Sequence, residues 1–396
     1  MSVAVPDGPT AGAIDDSIEA DVAAGAGDPS VLIGDAGSEA ARVAVSVPRV
    51  DDAPETQGIG WPHRHLLDLD VVTWPEIELV MRTTDAMKEV LARPIPKVPA
   101  LRGRAVTILF YEASTRTRVS FEVAAKNLSA DVVNIAAATS SVTKGESLID
   151  TVRTVEALGA DLLVIRHGTS GAPYLAAQHF GGGVLNGGDG WHAHPTQALL
   201  DLYTMRARLP GRSLAGRKVV ILGDVMHSRV ARSNIWALTA AGADLWLCGP
   251  STLLRGFDAW AKAGATAGRT FTVTSDVADA LRDADVVMAL RVQQERMEGG
   301  LLPSLREYAA RYGLTRARLA NAKPDALVMH PGPMNEGVEI APDVATMDRS
   351  VITDQVSNGV AVRMALLYLM AGVRTGAAAS GASAALGPAG TNEAPA

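Results

Sequence analysis

The chain has 396 residues, of which 47% are hydrophobic, 20% are charged and 4% are aromatic. The length predicts two or three domains, and the net charge of −7 gives no general attraction for nucleic acid or anionic membranes. The single cysteine, Cys248, excludes an internal disulfide and any cysteine-rich metal site. No apolar run reaches the roughly 18 residues of a membrane span, and no signal peptide is recognised, so we expect a cytoplasmic globular protein.

The acidic charge is concentrated near the N-terminus. Residues 1–60 contain eleven acidic and two basic residues and no aromatic residue, which gives this segment a net charge of −9. It cannot bury enough apolar area to offset the entropy of ordering, so we predict a disordered acidic extension. Residues 375–396, mainly Ala, Gly, Ser and Pro, are predicted to form a disordered tail. Because the tail carries one acidic residue, the body over 61–374 has a net charge of +3.

Short apolar segments alternate with helical patterns along the body. Strands are predicted over 105–111, 131–135, 162–166, 183–185, 218–222, 244–248, 286–289 and 326–329. Helices are predicted around 121–128, after 194–196, over 230–241 and over 357–370. Alternation of this kind predicts an α/β fold with two doubly wound parallel-sheet domains, over about 100–190 and 195–350.

A cluster of hydroxyls and arginines follows the first predicted strand. The segment reads Ser114-Thr115-Arg116-Thr117-Arg118 and leads into a helix, for which Ser114 or Thr115 is a suitable N-cap. Hydroxyls, helix N-terminal N–H groups and a guanidinium together suit a phosphate. The alternative is an ordinary capped helix with surface arginines. The chain contains no Walker P-loop.

Other candidate positions follow later strands. Arg166 ends an apolar strand at the edge where α/β proteins bind ligands. His192 and His194 could suggest a metal pair, but with no cysteine and no obvious carboxylate partner we predict no metal site. Gly223 is the only glycine of its strand-to-helix turn, so a dinucleotide fingerprint fails there. The loops at 139–147 and 330–333 could each be plain surface turns.

Taken in order, these motifs resemble those of the aspartate and ornithine carbamoyltransferase family over about residues 61–374. The matching segments are Ser-Thr-Arg-Thr-Arg at 114–118, His-Pro-Thr-Gln at 194–197, Arg-Val-Gln at 291–293 and His-Pro-Gly-Pro at 330–333. The resemblance implies a carbamoyl-phosphate domain over 61–193 and an amino-acid domain over 194–352. It also implies a C-terminal helix over 353–374 that packs back on the first domain.

The resemblance implies a role for each matching residue. It places Thr117, Arg166 and His194 at the reacting carbonyl group. The implied carbamoyl phosphate ligands are Ser114, Thr115, Arg116, Thr117, Ser140, Lys144, Arg166, His194, Gln197, Gly332 and Pro333. The implied ligands of the amino acid are Lys144, Arg229, Arg291 and Gln293. Glu112 and Arg296 match positions that hold the two domains together in the family.

Two features favour aspartate as the acceptor. The Ser-Met-Gly motif and the loop cysteine of the ornithine branch are absent, and Arg291-Val292-Gln293 stands in their place. Two arginines suit a dicarboxylate, because each can bind one carboxylate through two hydrogen bonds. The implied reaction converts carbamoyl phosphate and L-aspartate to N-carbamoyl-L-aspartate and phosphate, the second step of de novo pyrimidine biosynthesis, without metal or cofactor. A carbamoyltransferase for ornithine or another amino acid is the near alternative, and a dinucleotide-dependent oxidoreductase is the distant one.

The resemblance also implies a homotrimer. In the family, the loop that carries the matches to Ser140 and Lys144 reaches into the active site of a neighbouring subunit. Larger assemblies with regulatory chains or with dihydroorotase occur in the family, but no motif here identifies such a partner. No nucleic acid or membrane partner is expected.

Overall fold

The computed structural model describes residues 60–136, 145–265, 268, 270–293, 296–297 and 300–382, the last ten as helical backbone only. The predicted acidic extension, except Gly60, lies outside these residues. So do Ser140 and Lys144, and the tail over 383–396.

The first sheet has four parallel strands in the order β2-β1-β3-β4. The strands are β1 Ala105–Phe110, β2 Asp131–Ala136, β3 Leu162–His167 and β4 Gly183–Asp189. The side chains of β1, β3 and β4 are mostly buried, whereas those of the edge strand β2 are partly or fully exposed. The register places Phe110 beside Arg166, so the loops after β1 and β3 begin at neighbouring points.

The second sheet has five parallel strands in the order β7-β6-β5-β8-β9. The strands are β5 Lys218–Leu222, β6 Asp244–Cys248, β7 Phe271–Thr274, β8 Val286–Ala289 and β9 Leu327–Met329. After the charged first residues of β5 and β6, the central strands are apolar, because helices cover both faces of a parallel sheet. The predicted bounds of β5, β6 and β8 match those observed.

Helices fill the connections between strands. They are α1 Trp74–Leu91, α2 Thr115–Asn127, α3 Leu148–Ala157, α4 Ala172–His179, α5 Pro195–Arg208, α6 Arg229–Ala240, α7 Phe257–Ala265, α8 Val277–Leu281, α9 Leu305–Tyr312, α10 Arg316–Leu319, α11 Pro342–Ala345 and α12 Ile352–Ala382. None of the helices in the described part of the chain is both long enough and apolar enough to cross a bilayer.

The C-terminal helix joins the two halves of the fold. Helix α12 packs against α1 and α2 of the first sheet and against α5, and it buries Met364, Leu366 and Leu367. This confirms the predicted fold class of two doubly wound sheets with a helix that returns to the first. We predicted a disordered tail from residue 375, but α12 continues to Ala382. The added segment is rich in alanine, which has the highest intrinsic helix propensity.

Candidate active site

The described candidate residues share one topological position. Each lies at the carboxyl end of a strand, or in the loop or first helical turn that follows it. They are Ser114, Thr115, Arg116 and Thr117 after β1, Arg166 in β3, His194 and Gln197 after β4, Arg229 after β5, Arg291 and Gln293 after β8, and Gly332 and Pro333 after β9. Because all strands of each sheet are parallel, these residues gather at the edge where α/β folds bind ligands.

The start of α2 supplies an anion site on the first sheet. Ser114 is the N-cap, and its Oγ accepts a hydrogen bond from the backbone N–H of Thr117 at 3.4 Å. The other N–H groups of the first turn have no acceptor within the helix. Partial burial and the positive charge of Arg291 lower the pKa of Arg116, so guanidinium groups from the two sheets lie near each other. An anion placed between them would relieve that repulsion.

The loop after β9 reaches the same anion site. Gly332 has a φ of +65°, and a β-carbon built on it would lie 2.9 Å from the guanidinium carbon of Arg116. Glycine is suited to this position because it accepts a positive φ and allows the close approach. The phosphate-type motif of the first sheet and the 330–333 loop of the second are therefore in contact.

Glu112 connects the arginines of the two sheets. Its Oε1 lies 2.5 Å from Nη2 of Arg166 and 2.5 Å from Nη2 of Arg229, and Nη2 of Arg296 is 3.5 Å away. Burial alone would raise the pKa of Glu112, but the Arg229 hydrogen bond and the three positive charges lower it overall. Burial lowers the pKa of Arg166 to about 10, which leaves it charged at neutral pH. One carboxylate thus bridges three guanidinium groups drawn from both halves of the fold.

Replacing Glu112 with glutamine tests this bridge. The neutral amide keeps the size of the side chain but loses the charge that three arginines share. Charge-assisted hydrogen bonds are about twice as strong as neutral ones, so we expect kcat to fall about tenfold or more. Steady-state kinetics of E112Q would measure this. Glu307→Gln, which removes an exposed ion pair with Arg311 on α9, serves as the control. Equal kinetics for the two variants would contradict the bridging role.

His194 is held as a buried, neutral imidazole. It is the N-cap residue of α5, and its backbone N–H donates to Oγ of Ser233 at 2.9 Å. Burial first, and then the charges of Arg166, Arg229 and Arg363, lower its pKa well below the ordinary value. Among the described residues, the Nδ1 atom of His194 has no hydrogen-bond partner. The ring therefore keeps hydrogen-bonding capacity beside a cluster of positive charges.

The neutral state of His194 predicts a pH dependence of stability. The unfolded chain takes up a proton as the pH falls through the ordinary histidine pKa, whereas the folded chain does not. Stability is present above that pKa and is lost below it, by at most about 1.4 kcal/mol per pH unit. The unfolding free energies of wild type and His194→Gln are measured in urea at about pH 7.5 and 5.5. We expect the difference between the two proteins to be smaller at the lower pH. A constant difference at both pH values would show that His194 is not held neutral.

Hydrogen bonds connect the loops that follow β5 and β8 in the second sheet. Oδ1 of Asp224 lies 2.8 Å from Nδ1 of His227, and Oδ2 accepts from the backbone N–H of Gln293 at 3.2 Å. Nε2 of Gln293 donates to the His227 carbonyl at 3.1 Å. These bonds tie the segment with Arg291 and Gln293 to the end of β5.

His192 has the carboxylate neighbours that were not apparent from the sequence. Its Nδ1 lies 3.2 Å from Asp189 and its Nε2 lies 4.0 Å from Asp68. Within the described segments, no three His, Cys, Asp or Glu side chains are grouped so that they could hold a metal ion. The short contact with Asp189 raises the pKa of His192 despite its burial. We therefore describe the interaction of His192 with Asp189 as a structural contact.

Sequence reasoning missed a buried arginine near the site. Arg363 on α12 is 4% exposed, donates from Nη1 to Oγ of Ser120 at 2.8 Å, and lies over the ring of Phe121. Its positive charge acts on both His194 and Arg166. An arginine among the apolar residues of a helix was the signal that could have identified it, since arginine is almost never fully buried without a partner.

Family models match both halves of the chain. A model described as the carbamoyl-P binding domain of aspartate/ornithine carbamoyltransferase matches residues 64–207. A model described as the Asp/Orn binding domain of the same family matches residues 215–370. The first range contains the α2 anion site and Arg166, and the second contains Arg229, Arg291 and the 330–333 loop.

Curated and solved relatives agree with these models. The chain is 60% identical over 309 residues to the aspartate carbamoyltransferase catalytic subunit of Roseiflexus sp. strain RS-1, which covers 78% of this chain and 95% of that protein. Aspartate transcarbamoylase from Trypanosoma cruzi, solved with carbamoyl phosphate and aspartate, matches with a TM-score of 0.69 at 29% identity over 77% of this chain and 95% of that one. Ornithine carbamoyltransferase from Pyrococcus furiosus matches with a TM-score of 0.69 and 27% identity, and the match covers 79% of this chain and 99% of that chain. The chain therefore belongs to the aspartate/ornithine carbamoyltransferase family.

Proposed function

We propose that this chain transfers the carbamoyl group of carbamoyl phosphate to the amine of L-aspartate and releases N-carbamoyl-L-aspartate and phosphate. The observation that carries the proposal is the meeting of arginines from both sheets around Glu112. The first sheet offers a phosphate-type site at α2, and the second offers Arg229 and Arg291 for carboxylates. Both substrates are anions, so an arginine-rich cleft between the sheets suits the pair.

The phosphate half of the site lies on the first sheet. The N-cap hydroxyl of Ser114, the free N–H groups of the first turn and the Arg116 guanidinium surround the position of the leaving phosphate. Helix N-termini favour such anions through their unpaired N–H groups and their dipole. Thr115 and Thr117 add hydroxyls, and Ser140 and Lys144 complete the phosphate ligands from a neighbouring subunit.

The carbonyl oxygen of the carbamoyl group is polarised by Thr117, Arg166 and His194. Arg166 is buried and charged, and His194 is buried and neutral, so both act as hydrogen-bond donors in a site with little water. Negative charge develops on that oxygen when the carbon becomes tetrahedral. A donor preorganised for such an oxyanion is typically worth about 10²–10³ in rate. Gln197, with Gly332 and Pro333, contacts the carbamoyl amine group.

Aspartate binds on the second sheet through Arg229, Arg291 and Gln293, with Lys144 from the neighbour. Its uncharged α-amine attacks the carbonyl carbon, a C–N bond forms, and the bond between that carbon and the phosphate oxygen then breaks. The phosphate group accepts the proton released by the amine. No covalent intermediate with the protein is needed, so catalysis consists of positioning and charge stabilisation.

Aspartate is favoured over ornithine by sequence rather than by fold. The aspartate enzyme from Trypanosoma cruzi and the ornithine enzyme from Pyrococcus furiosus match this chain with the same TM-score of 0.69. The relative with 60% identity is named aspartate carbamoyltransferase, and the Arg291-Val292-Gln293 segment suits a dicarboxylate. Ornithine carries a second ammonium group, which the arginines would repel.

The active form is a cytoplasmic homotrimer whose sites are shared between subunits. An apolar surface on α2 and β2 supports this, since Val119, Val123 and Val133 are 43%, 39% and 48% exposed. Exposed apolar patches mark interaction sites, and an edge strand is open to a partner. In the sequence, the segment that contains Ser140 and Lys144 follows β2, which carries Val133. A carbamoyl-phosphate domain over 61–193 and an aspartate domain over 194–352 form each subunit. Larger assemblies with regulatory chains or dihydroorotase would build on this trimer.

An acceptor panel tests the proposed function. Purified protein is incubated with carbamoyl phosphate and, separately, L-aspartate, L-ornithine or N-acetyl-L-ornithine, and the carbamoylated product is measured by mass spectrometry. We expect N-carbamoyl-L-aspartate, with at least about 10³-fold lower rates for the other two acceptors, since their charge opposes Arg229 and Arg291 or fails to pair with them. Citrulline as the main product would replace the proposal with the ornithine alternative.

A further inference from the structure

Asp201 is a buried carboxylate that the proposed reaction does not use directly. It lies on α5 and has no exposed surface. Its Oδ1 accepts from Nε2 of Gln197 at 2.9 Å and from Nε2 of Gln355 at 2.7 Å. Its Oδ2 accepts from Nδ2 of Asn234 at 3.0 Å. One carboxylate therefore holds three amide side chains, which come from α5, α12 and α6.

The chemistry of a carboxylate fixes the direction of each amide. An ionised carboxylate only accepts hydrogen bonds, so each amide must turn its NH₂ group toward Asp201 and its oxygen away. Gln355 shows the consequence, because its Oε1 accepts from the backbone N–H of His330 at 3.0 Å. Gln197 must likewise direct its oxygen away from Asp201.

The backbone of the 330–333 loop has no hydrogen-bond donor left for a ligand. Pro331 and Pro333 have no N–H group. The N–H of His330 is taken by Gln355, and the N–H of Gly332 donates to Nδ1 of His330 at 2.8 Å. The backbone of the loop can therefore offer a ligand only carbonyl oxygens.

We propose that Asp201 is a positioning residue that makes the pocket for the carbamoyl amine a pocket of acceptors only. It does so by directing the Gln197 oxygen toward the site and, through Gln355, by holding the loop that presents its carbonyls. This inference rests on the proposed function, because it assumes that Gln197 and the loop meet the carbamoyl amine.

An acceptor-only pocket selects for the –NH₂ group of carbamoyl phosphate. That group offers two N–H donors, which the Gln197 oxygen and the loop carbonyls can accept. Acetyl phosphate has a methyl group at this position, so it leaves the acceptors unpaired at the cost of buried, unsatisfied polar groups. The selectivity between the two acyl phosphates therefore depends on Asp201, whereas the affinity for the phosphate group does not.

The test compares two Asp201 variants with a matched control. Asp201→Leu removes all acceptors, whereas Asp201→Asn keeps one oxygen that can accept from both glutamines. Asp285→Leu is the control, because Asp285 is also a buried carboxylate that accepts three hydrogen bonds, from Arg217, Lys218 and Lys323. It lies beside the amino end of β8, at the opposite edge from the site. For each protein, the KM of carbamoyl phosphate and the inhibition constants of acetyl phosphate and inorganic phosphate are measured.

We expect Asp201→Leu to lower the selectivity for carbamoyl over acetyl phosphate about tenfold, with inorganic phosphate inhibition unchanged within about twofold. Asp201→Asn should restore most of that selectivity, and Asp285→Leu should match wild type. If Asp201→Leu does not fold, Gln355→Leu removes the link from Asp201 to His330, leaves the bonds of Asp201 to Gln197 and Asn234 in place, and should lower the selectivity about threefold to tenfold. A folded Asp201→Leu, or in its absence Gln355→Leu, with wild-type selectivity overturns this inference. A wild-type protein that does not use carbamoyl phosphate overturns the proposed function instead.

Discussion

Replacing Arg166 with alanine is expected to lower kcat/KM about 10³-fold while the protein stays folded. Arg166 is 8% exposed, and its Nη1 donates to the Gly187 carbonyl at 3.1 Å, so its guanidinium is fixed at the carboxyl end of β3. The alanine variant loses a donor to the developing oxyanion and a charge beside the leaving phosphate. The fold survives because Glu112 keeps its bonds to Arg229 and contacts with Arg296.

Steady-state kinetics and thermal unfolding of the same preparation measure both parts of this prediction. Arg104→Ala is the matched control, because Arg104 precedes β1 at the opposite edge of the same sheet and pairs with Asp161 at 2.8 Å. We expect the control to lose some stability and to keep its turnover. An Arg166→Ala protein with near-normal turnover would exclude Arg166 from the reacting centre.

Mixing two inactive variants is expected to restore activity. Lys144→Ala and Arg166→Ala chains are each inactive as homotrimers, because every site lacks one residue. If Lys144 is donated by a neighbouring subunit, each hybrid trimer contains one interface at which both residues are intact. Such hybrids should therefore show about one third of the wild-type activity per trimer.

The measurement requires exchange of subunits by mild denaturation and refolding, separation of the hybrids by charge tags, and an assay of each species. Each variant refolded alone is the control and should stay inactive. Hybrids shown to form but without activity would contradict the sharing of sites between subunits.

Much of the fold was predictable because its strands are short, apolar and buried on both faces. The bounds of β5, β6 and β8 follow from runs of valine, isoleucine, leucine and methionine beside polar turns. β7, with the sequence Phe-Thr-Val-Thr, was not predicted, because it is a four-residue edge strand with mixed burial. Helix α1 was also missed, although its apolar face is clear once the core is known.

The residues at strand ends were predictable, but the groups that orient them were not. The sequence indicated Arg166 because a charged residue at the end of an apolar strand is uncommon, whereas His194 and Arg229 were indicated by the resemblance to the family. Asp201 and Arg363 lie within apolar helices, and nothing in a single sequence states which amides or hydroxyls will meet them. Apart from Gln197, which lies one turn away on α5, those partners are separated by 33 to 243 residues along the chain, and only the packing of the helices brings them together.

We propose that the two sheets provide adjacent halves of one site, for phosphate on the first sheet and for carboxylates on the second. Calorimetric titration with a single compound, in which a phosphonate is joined through an acetyl group to the amine of L-aspartate, tests this most directly. We expect it to bind at least about 10²-fold more tightly than phosphonoacetate or L-aspartate alone, because the two halves act as one ligand. If the joined compound binds no more tightly than the better of phosphonoacetate and L-aspartate, the result would contradict a shared site between the two sheets.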